Sequence, residues 1–233
     1  GMFEYQLEAV LEYVYQLNGA AFPGYPSIVG SGENTTILHY NTNRRQIKDG
    51  DMVLIDAAAE YMGYTADITR TFPANGKFTP EQKAIYELCL KAQNAAADAG
   101  KIGTPLNQLS IVAHNVIADG LMEMGLLKER SKFRNFTLHG VAHHIGLDVH
   151  DWGGNKIEEG MVFTIEPGIY IKPSEEVDPK WWNIGVRIED DYLATKDGLK
   201  LLSGIAPRSV SDIEAAMRKK GIGNLPNGRL SGK

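Results

Sequence analysis

The stretch Val53-Leu-Ile-Asp-Ala-Ala-Ala-Glu-Tyr-Met-Gly-Tyr-Thr-Ala-Asp-Ile-Thr-Arg-Thr-Phe72 constrains the fold more than any other part of this chain. Runs of β-branched and aromatic residues flank Tyr61-Met-Gly-Tyr64, which predicts two strands turned back on each other through that tetrapeptide. Folding there sets Asp56 within about one bulge residue of direct pairing with Asp67. Two carboxylates so placed repel, and one takes up a proton unless a cation lies between them. A hairpin of this kind needs a partner for its charge.

Two more acidic residues stand in similar settings. Glu166, in Thr164-Ile-Glu-Pro-Gly168, is held extended by the proline that follows it. Glu189, in Gly185-Val-Arg-Ile-Glu-Asp-Asp191, shares a strand face with Arg187 because side chains alternate with period two. With His143, these carboxylates make a set able to hold two divalent metal ions: their charges offset two such ions, and a neutral imidazole adds a ligand without adding charge. Oxygen-rich coordination with a single nitrogen suits Mn²⁺, Co²⁺ or Zn²⁺ better than a soft ion. Two ions sharing carboxylates at about 3.5–4 Å let a shared water ionise near neutral pH and attack a carbonyl, which is hydrolytic chemistry.

The segment Thr137-Leu-His-Gly-Val-Ala-His-His-Ile-Gly-Leu-Asp-Val-His-Asp151 holds most of the chain's six histidines. His139 and His143 have the i, i+4 spacing of a zincin helix, but Gly140 stands where that motif requires glutamate, and Gly146 also disfavours a helix. Isolated histidines are more often packed or solvated than ligating, so the cluster alone leaves both readings open.

Taken in order, Thr35-Thr-Ile-Leu-His-Tyr40, Ile55-Asp56 through Asp67-Ile-Thr-Arg-Thr-Phe-Pro73, the His139–Asp151 run, Thr164-Ile-Glu-Pro-Gly-Ile-Tyr170 and Val186-Arg-Ile-Glu-Asp-Asp191 resemble the motifs of Xaa-Pro aminopeptidases (aminopeptidase P) and prolidases. The resemblance runs from Tyr5 to Ile213. It implies an α/β (α+β) pita-bread metallopeptidase fold, with pseudo-symmetric αβ halves around a dinuclear metal cleft. It implies an exopeptidase that releases the N-terminal residue from peptides with proline second, using two divalent ions, Mn²⁺ ahead of Co²⁺ or Zn²⁺. Asp56 would bind one metal, Asp67 and Glu189 would bridge both, and His143 and Glu166 would complete the shell of the second. His39, His139 and His150 resemble the substrate-facing histidines that bond the peptide carbonyl or stabilise the tetrahedral intermediate. Glu166 would also take the water's proton, and Arg187 resembles the arginine that orients the carboxylates. The plainer alternatives are an ordinary strand residue for His39 and a surface ion pair for Arg187. His114 and His144 match no motif and read as structural.

Prolidase, restricted to dipeptides, is the close alternative because it uses the same ligands. A pseudo-peptidase that binds without cleaving is a third reading, disfavoured because every ligand position is filled. Trp152 and the Trp181-Trp182 pair either wall a proline pocket or pack at its rim. Ala58 stands where relatives often carry glycine, a difference of tuning. Against the family pattern the chain starts too late for the usual N-terminal domain and for a helix ahead of residues 5–17; an apolar strip left without that helix would favour a homo-oligomer.

With 233 residues the chain is long enough for one compact catalytic domain over 3–220, after a tag remnant at Gly1-Met2 and before a flexible tail at 221–233. A net charge of −5 without basic runs favours a peptide over nucleic acid or an anionic membrane as partner. No membrane span or leader is visible, which together with the rest gives a cytoplasmic enzyme as the expectation. The lone Cys89 reads as a packed core residue. Helices are predicted over Phe3–Leu17, from the Thr79-Pro-Glu-Gln82 capping box to Gly100, from Thr104-Pro105 to Met124-Gly125, and from a Ser211-Asp-Ile-Glu214 capping box to Gly221. Hairpins are predicted at 51–73 and 161–195.

Overall fold

A computed structural model of the chain describes residues 1–221; the expected tail lies, from residue 222 onward, outside the described residues. The chain is mixed α/β, and its sheets are built around two long antiparallel ribbons.

The first ribbon is the predicted hairpin. Strand β3 (Met52–Asp56) pairs with β6 (Thr69–Pro73), and β4 (Ala59–Tyr61) pairs with β5 (Tyr64–Thr65). Its turn is Met62-Gly63, both left-handed at φ 53° and 87°, the type I′ pattern that matches the twist of the strands. Glycine takes this conformation without cost; Met62 accepts it with its side chain 83% exposed. Strand β2 (Ile28–Ser31) adds to the edge of β3, and β1 (Phe22–Pro23) adds to β4. One register runs through both ladders, with Asp56 opposite Thr69 and Glu60 opposite Thr65. Asp67 is therefore the diagonal neighbour of Asp56, offset by two positions on the same face and not by a single bulge residue.

The second ribbon repeats the design. Strand β7 (Val162–Ile165) pairs with β10 (Asp190–Thr195), β8 (Gly168–Ile171) pairs with β9 (Ile184–Arg187), and β11 (Gly198–Leu201) extends the β10 edge. Ile165 opposes Asp190 and Gly168 opposes Arg187, so the shared register sets Glu166 against Glu189. Regular pairing lapses there because Pro167 has no N–H to give. Each ribbon thus breaks where its two carboxylates sit. The ribbons meet along β6: the Glu189 N–H donates to Thr69 O (3.1 Å), Thr71 Oγ1 donates to Arg187 O (2.9 Å) and Arg70 Nη1 donates to Glu189 O (2.6 Å).

Helices α1 (Glu4–Leu17), α2 (Pro80–Ala99), α3 (Leu106–Glu123) and α4 (Val210–Met217) complete the fold. Thr79 and Gln82 form the expected capping box of α2. At α4 the cap is Ser209, not Ser211: Ser209 Oγ accepts from the Asp212 N–H (3.0 Å), while Glu214 is turned to the Phe78 N–H (3.3 Å). The tertiary bond to Phe78 withdraws Glu214 from the later capping box, and the helix ends at Met217, short of Gly221. Helices α2 and α3 pack on each other and on the second ribbon through Ile85, Leu88, Leu109, Ile117, Ile165 and Val186. Gly120 stands in the last turn of α3 because Leu88 of α2 occupies the place a methyl group would need. Cys89 lies in this core, donating from Sγ to Pro167 O (3.0 Å), and burial pushes its thiol up to about 12.

Helix α1 is held differently. Its apolar face is only half-buried, but Glu4 is fully buried and accepts from Ser31 N and Oγ (both 2.7 Å), Asn34 Nδ2 (3.1 Å) and Arg45 N (2.8 Å). Glu4→Ala strands these donors, so it is expected to cost about 3 kcal/mol and to lower Tm by roughly 6–12 °C. An unchanged thermal melt would mean that the apolar face alone holds the helix. Among the described residues, no helix is long and apolar enough to cross a membrane.

Candidate metal centre

A cavity of about 470 Å³ is lined by residues of both ribbons, and every site residue expected from the sequence lines it: Asp56, Asp67, His143, Glu166, Glu189, His39, His139, His150 and Arg187. Asp56 ends β3, and Asp67 precedes β6 on the same ribbon face. Glu166 and Glu189 occupy the break in the second ribbon. His143 comes from the 137–151 segment, which is not helical, so the zincin-like spacing has no helical basis. That segment runs beside β7, held by Thr164 N–H to His143 O (2.8 Å) and Glu166 N–H to Val141 O (2.8 Å).

His143 Nε2 is the hub. It lies 3.4 Å from Asp67 Oδ2, 3.6 Å from Glu166 Oε1 and 3.8 Å from Glu189 Oε1. Asp67, His143 and Glu189 form the tightest set, each offering an atom within 4.8 Å of the others. Asp56 and Glu166 flank that triad. Burial pushes Glu166 up to about 8, and burial also holds Glu189 well above the ordinary carboxylate range, helped by the charges of Asp67 and Glu166. Burial also raises Asp56, outweighing Arg187 beside it. Asp67 goes the other way: burial works against its charge, but hydrogen bonds with His143 and Tyr25 prevail and hold it low. Burial disfavours a charged His143 too, yet Asp67 and Glu189 carry it up to about 11. The cluster therefore gathers protons to offset its own negative charge. A set of carboxylate oxygens and one imidazole nitrogen that retains protons for this reason fits divalent cations, which replace the protons on binding.

Arg187 is no surface ion pair. Buried at 3% exposure, it donates from Nη2 to Asp56 Oδ2 (2.5 Å), from Nη1 to the Tyr170 hydroxyl (3.0 Å) and from Nε to Thr69 Oγ1 (3.2 Å). Thr69 Oγ1 in turn donates a hydrogen bond to Glu189 Oε2 (2.7 Å). Tyr25, which sequence reasoning missed, reaches both carboxylates of the first ribbon, with its hydroxyl 2.7 Å from Asp56 Oδ1 and 2.6 Å from Asp67 Oδ1. Tyr170 and Thr69 lie inside the quoted motifs; Tyr25 stands in Pro23-Gly-Tyr-Pro26, where nothing signals a site. Tyr25→Phe is expected to weaken divalent-metal affinity by roughly tenfold while leaving the fold intact, read by metal titration beside a thermal melt. Unchanged affinity would remove Tyr25 from the site.

The histidines differ in setting. Tyr170 accepts from Arg187 and so turns its hydroxyl hydrogen toward His139 Nε2 (2.8 Å), leaving His139 Nδ1–H to face Gly140 O (2.7 Å). Burial, with Arg187 nearby, holds His139 down at about 4 and hence neutral. His150 is exposed, its ring edge-on to that of His143 at 4.3 Å; burial and the charge of His143 lower its pKa. His39 is exposed at the cavity wall. His144 bonds Gly154 O (2.9 Å), and neither it nor His114 lines the cavity. No tryptophan lines it either: Trp181 and Trp182 pack against the helical core, and Trp152 is 92% exposed, which leaves the pocket reading of these residues without support. Ala58 is buried outside the cavity lining, its carbonyl taking the Gly24 N–H (2.9 Å).

Known proteins resemble this chain over most of its length. The chain is 44% identical to an Xaa-Pro aminopeptidase of Haemophilus influenzae over 92% of its own length and 53% of the relative's. It is 37% identical to an Xaa-Pro dipeptidase of Homo sapiens over 93% of its length and 54% of the relative's. A solved aminopeptidase structure from Pseudomonas aeruginosa superposes with a TM-score of 0.90 at 47% identity, covering 93% of this chain and 52% of that one. The chain thus spans about half the length of the relatives it matches, and its fold is the pita-bread fold of the aminopeptidase P structures. Residues 1–196, which carry both carboxylate pairs and the histidine between them, match the profile of metallopeptidase family M24, and it is to that family that this chain belongs.

Proposed function

We propose that this chain is the catalytic part of a dinuclear metal-dependent exopeptidase that releases the N-terminal residue from peptides with proline in the second position. The observation that carries this reading is the convergence of Asp56, Asp67, His143, Glu166 and Glu189 on a cavity whose remaining lining includes the apolar Pro26, Ile28, Leu38 and Val149. Those five residues would hold two divalent ions, Mn²⁺ or else Co²⁺ or Zn²⁺. Bound there, the ions supply an ionised water for attack on a peptide carbonyl and positive charge for the oxyanion. The acidic cluster draws in the substrate's α-ammonium group, and the apolar lining takes a proline ring, which has no N–H to satisfy. Glu166 takes up the proton at Oε2, the oxygen turned toward His139 Nδ1 at 3.6 Å. His39 and His150 bond the peptide carbonyl as charge develops on it, and His139 joins them by turning its Nδ1–H from Gly140 O to the substrate. Arg187 keeps Asp56 in place.

A second reading, prolidase, draws support from the dipeptidase relative and from motifs the two activities share. Ala-Pro and Ala-Pro-Ala, each offered to chelator-treated protein with and without Mn²⁺ and followed by mass, separate the two. Cleavage of the tripeptide that returns only with metal supports the aminopeptidase, and cleavage of the dipeptide alone supports prolidase. Cleavage of neither by metal-loaded protein would overturn both and leave a binding function.

A further inference from the structure

Nothing regular in the backbone holds His139: residues 137–143 form neither helix nor strand. On one side the segment is tied to Glu166 through the carbonyl of Val141. On the other it meets α3, where Ser110 Oγ accepts from the Val141 N–H (3.0 Å) and His114 Nε2 lies 3.1 Å from the His139 carbonyl oxygen. Ser110 and His114 are one helical turn apart on a single face, so together they reach alternate residues of the segment. A carbonyl only accepts, so His114 must carry its proton on Nε2 and donate. His114 is 5% exposed, its ring tilted against Phe133 at 5.5 Å, which fixes the direction of that donor. Burial and the nearby Arg134 keep the ring neutral near neutral pH, so the bond does not depend on a passing charge. Gly140, between the two anchor points, leaves ordinary room beside Ser110, so the link is made by hydrogen bonds and not by steric wedging.

We propose that Ser110 and His114 of α3 are positioning residues for His139, clamping the backbone on either side of Gly140 so that the His139 ring stays against Tyr170 and faces the cavity. This rests on the peptidase reading above. A buried histidine that merely satisfies a core carbonyl would look similar in a static structure but would act on stability alone.

The test compares His114→Phe, which keeps an aromatic ring against Phe133 but has no donor, with His114→Gln, whose amide N–H can reach the same carbonyl. With Ala-Pro-Ala and metal-loaded protein, His114→Phe is expected to lower kcat roughly tenfold with KM changed less than about twofold, and His114→Gln to recover most of the loss. In a His139→Ala background, His114→Phe is expected to cause no further loss, because no side chain is left to position. Full activity in His114→Phe, or a loss of equal size in the His139→Ala background, overturns the proposal. If His114→Phe fails to fold, Ser110→Ala carries the same expectations through the other arm. A readout without turnover is the nitrogen-15 signal of the His139 ring in Zn²⁺-loaded protein: a single Nδ1–H tautomer in the unaltered chain, mixed tautomers in the variant. Should the unaltered chain cleave neither peptide, the peptidase reading fails on its own, and unchanged ring signals in the variant then overturn the positioning role separately.

Discussion

Asp67→Ala is expected to abolish Mn²⁺-dependent hydrolysis of Ala-Pro-Ala and to leave the desalted protein without stoichiometric metal, while its secondary structure is retained. Asp67 belongs to the tightest group of potential ligand atoms, and removing it leaves His143 and Glu189 without the third member of their triad. A loss on the order of 10³-fold or more is the scale for removing a group on which the whole catalytic assembly depends. The backbone should tolerate the change, because the Asp67 N–H is held by Asp191 Oδ2 (3.2 Å) whatever side chain stands there. Metal content by atomic absorption, beside product mass, checks both arms. A variant that keeps full metal and full rate would sink the assignment of the site.

Arg187→Met carries the largest expected effect on stability. The substitution leaves Asp56 buried without its cation and removes the donors that Tyr170 and Thr69 accept from. Breaking a buried pair from one side costs about 3–5 kcal/mol, a large share of a typical folding free energy of roughly 5–15 kcal/mol. A melt lowered by roughly 10 °C or more is expected in chelated protein. Saturating Mn²⁺ should narrow the gap, since bound cations give Asp56 another counter-charge. Adding Asp56→Asn to Arg187→Met should recover much of the stability and none of the activity, which separates the two roles of the pair. Equal melting of Arg187→Met and the unaltered protein in chelator would show that Asp56 is not held by this arginine.

Particular residues show how far the site was legible in sequence. The shared face of Asp56 and Asp67 follows from period-two alternation and a Met-Gly turn that admits left-handed backbone, so it could be read locally. The two-position offset follows from the same two-residue turn, which sets Tyr61 against Tyr64 and so Asp56 against Thr69; allowing for a bulge obscured it. Pro167 announced an extended Glu166, whereas the apposition of Glu166 and Glu189 depends on the register of β7 with β10, which no local pattern encodes. The placing of His39, His139 and His150 at the cavity came from family resemblance, their spacing being uninformative. Tyr25 escaped notice because its only distinction is spatial: it reaches partners 31 and 42 residues away. The α4 cap was misplaced for a related reason, since two serines offered equivalent local signals and a contact with Phe78 decided between them.

The break shared by the two ribbons has a kinetic consequence. Arg187 and Asp56 are 131 residues apart in the chain, and neither ribbon alone presents more than half of the proposed ligand set. Closing so long a loop is slow compared with forming either hairpin, so the complete site exists only after the last long-range docking event. Divalent ions then bind the finished molecule far better than any intermediate, and their binding energy accrues to that state alone. Metal uptake by the refolding chain should therefore lag behind the appearance of its strands and helices, which makes the ion a late witness to correct assembly and leaves a chain stalled with its ribbons apart unable to retain one.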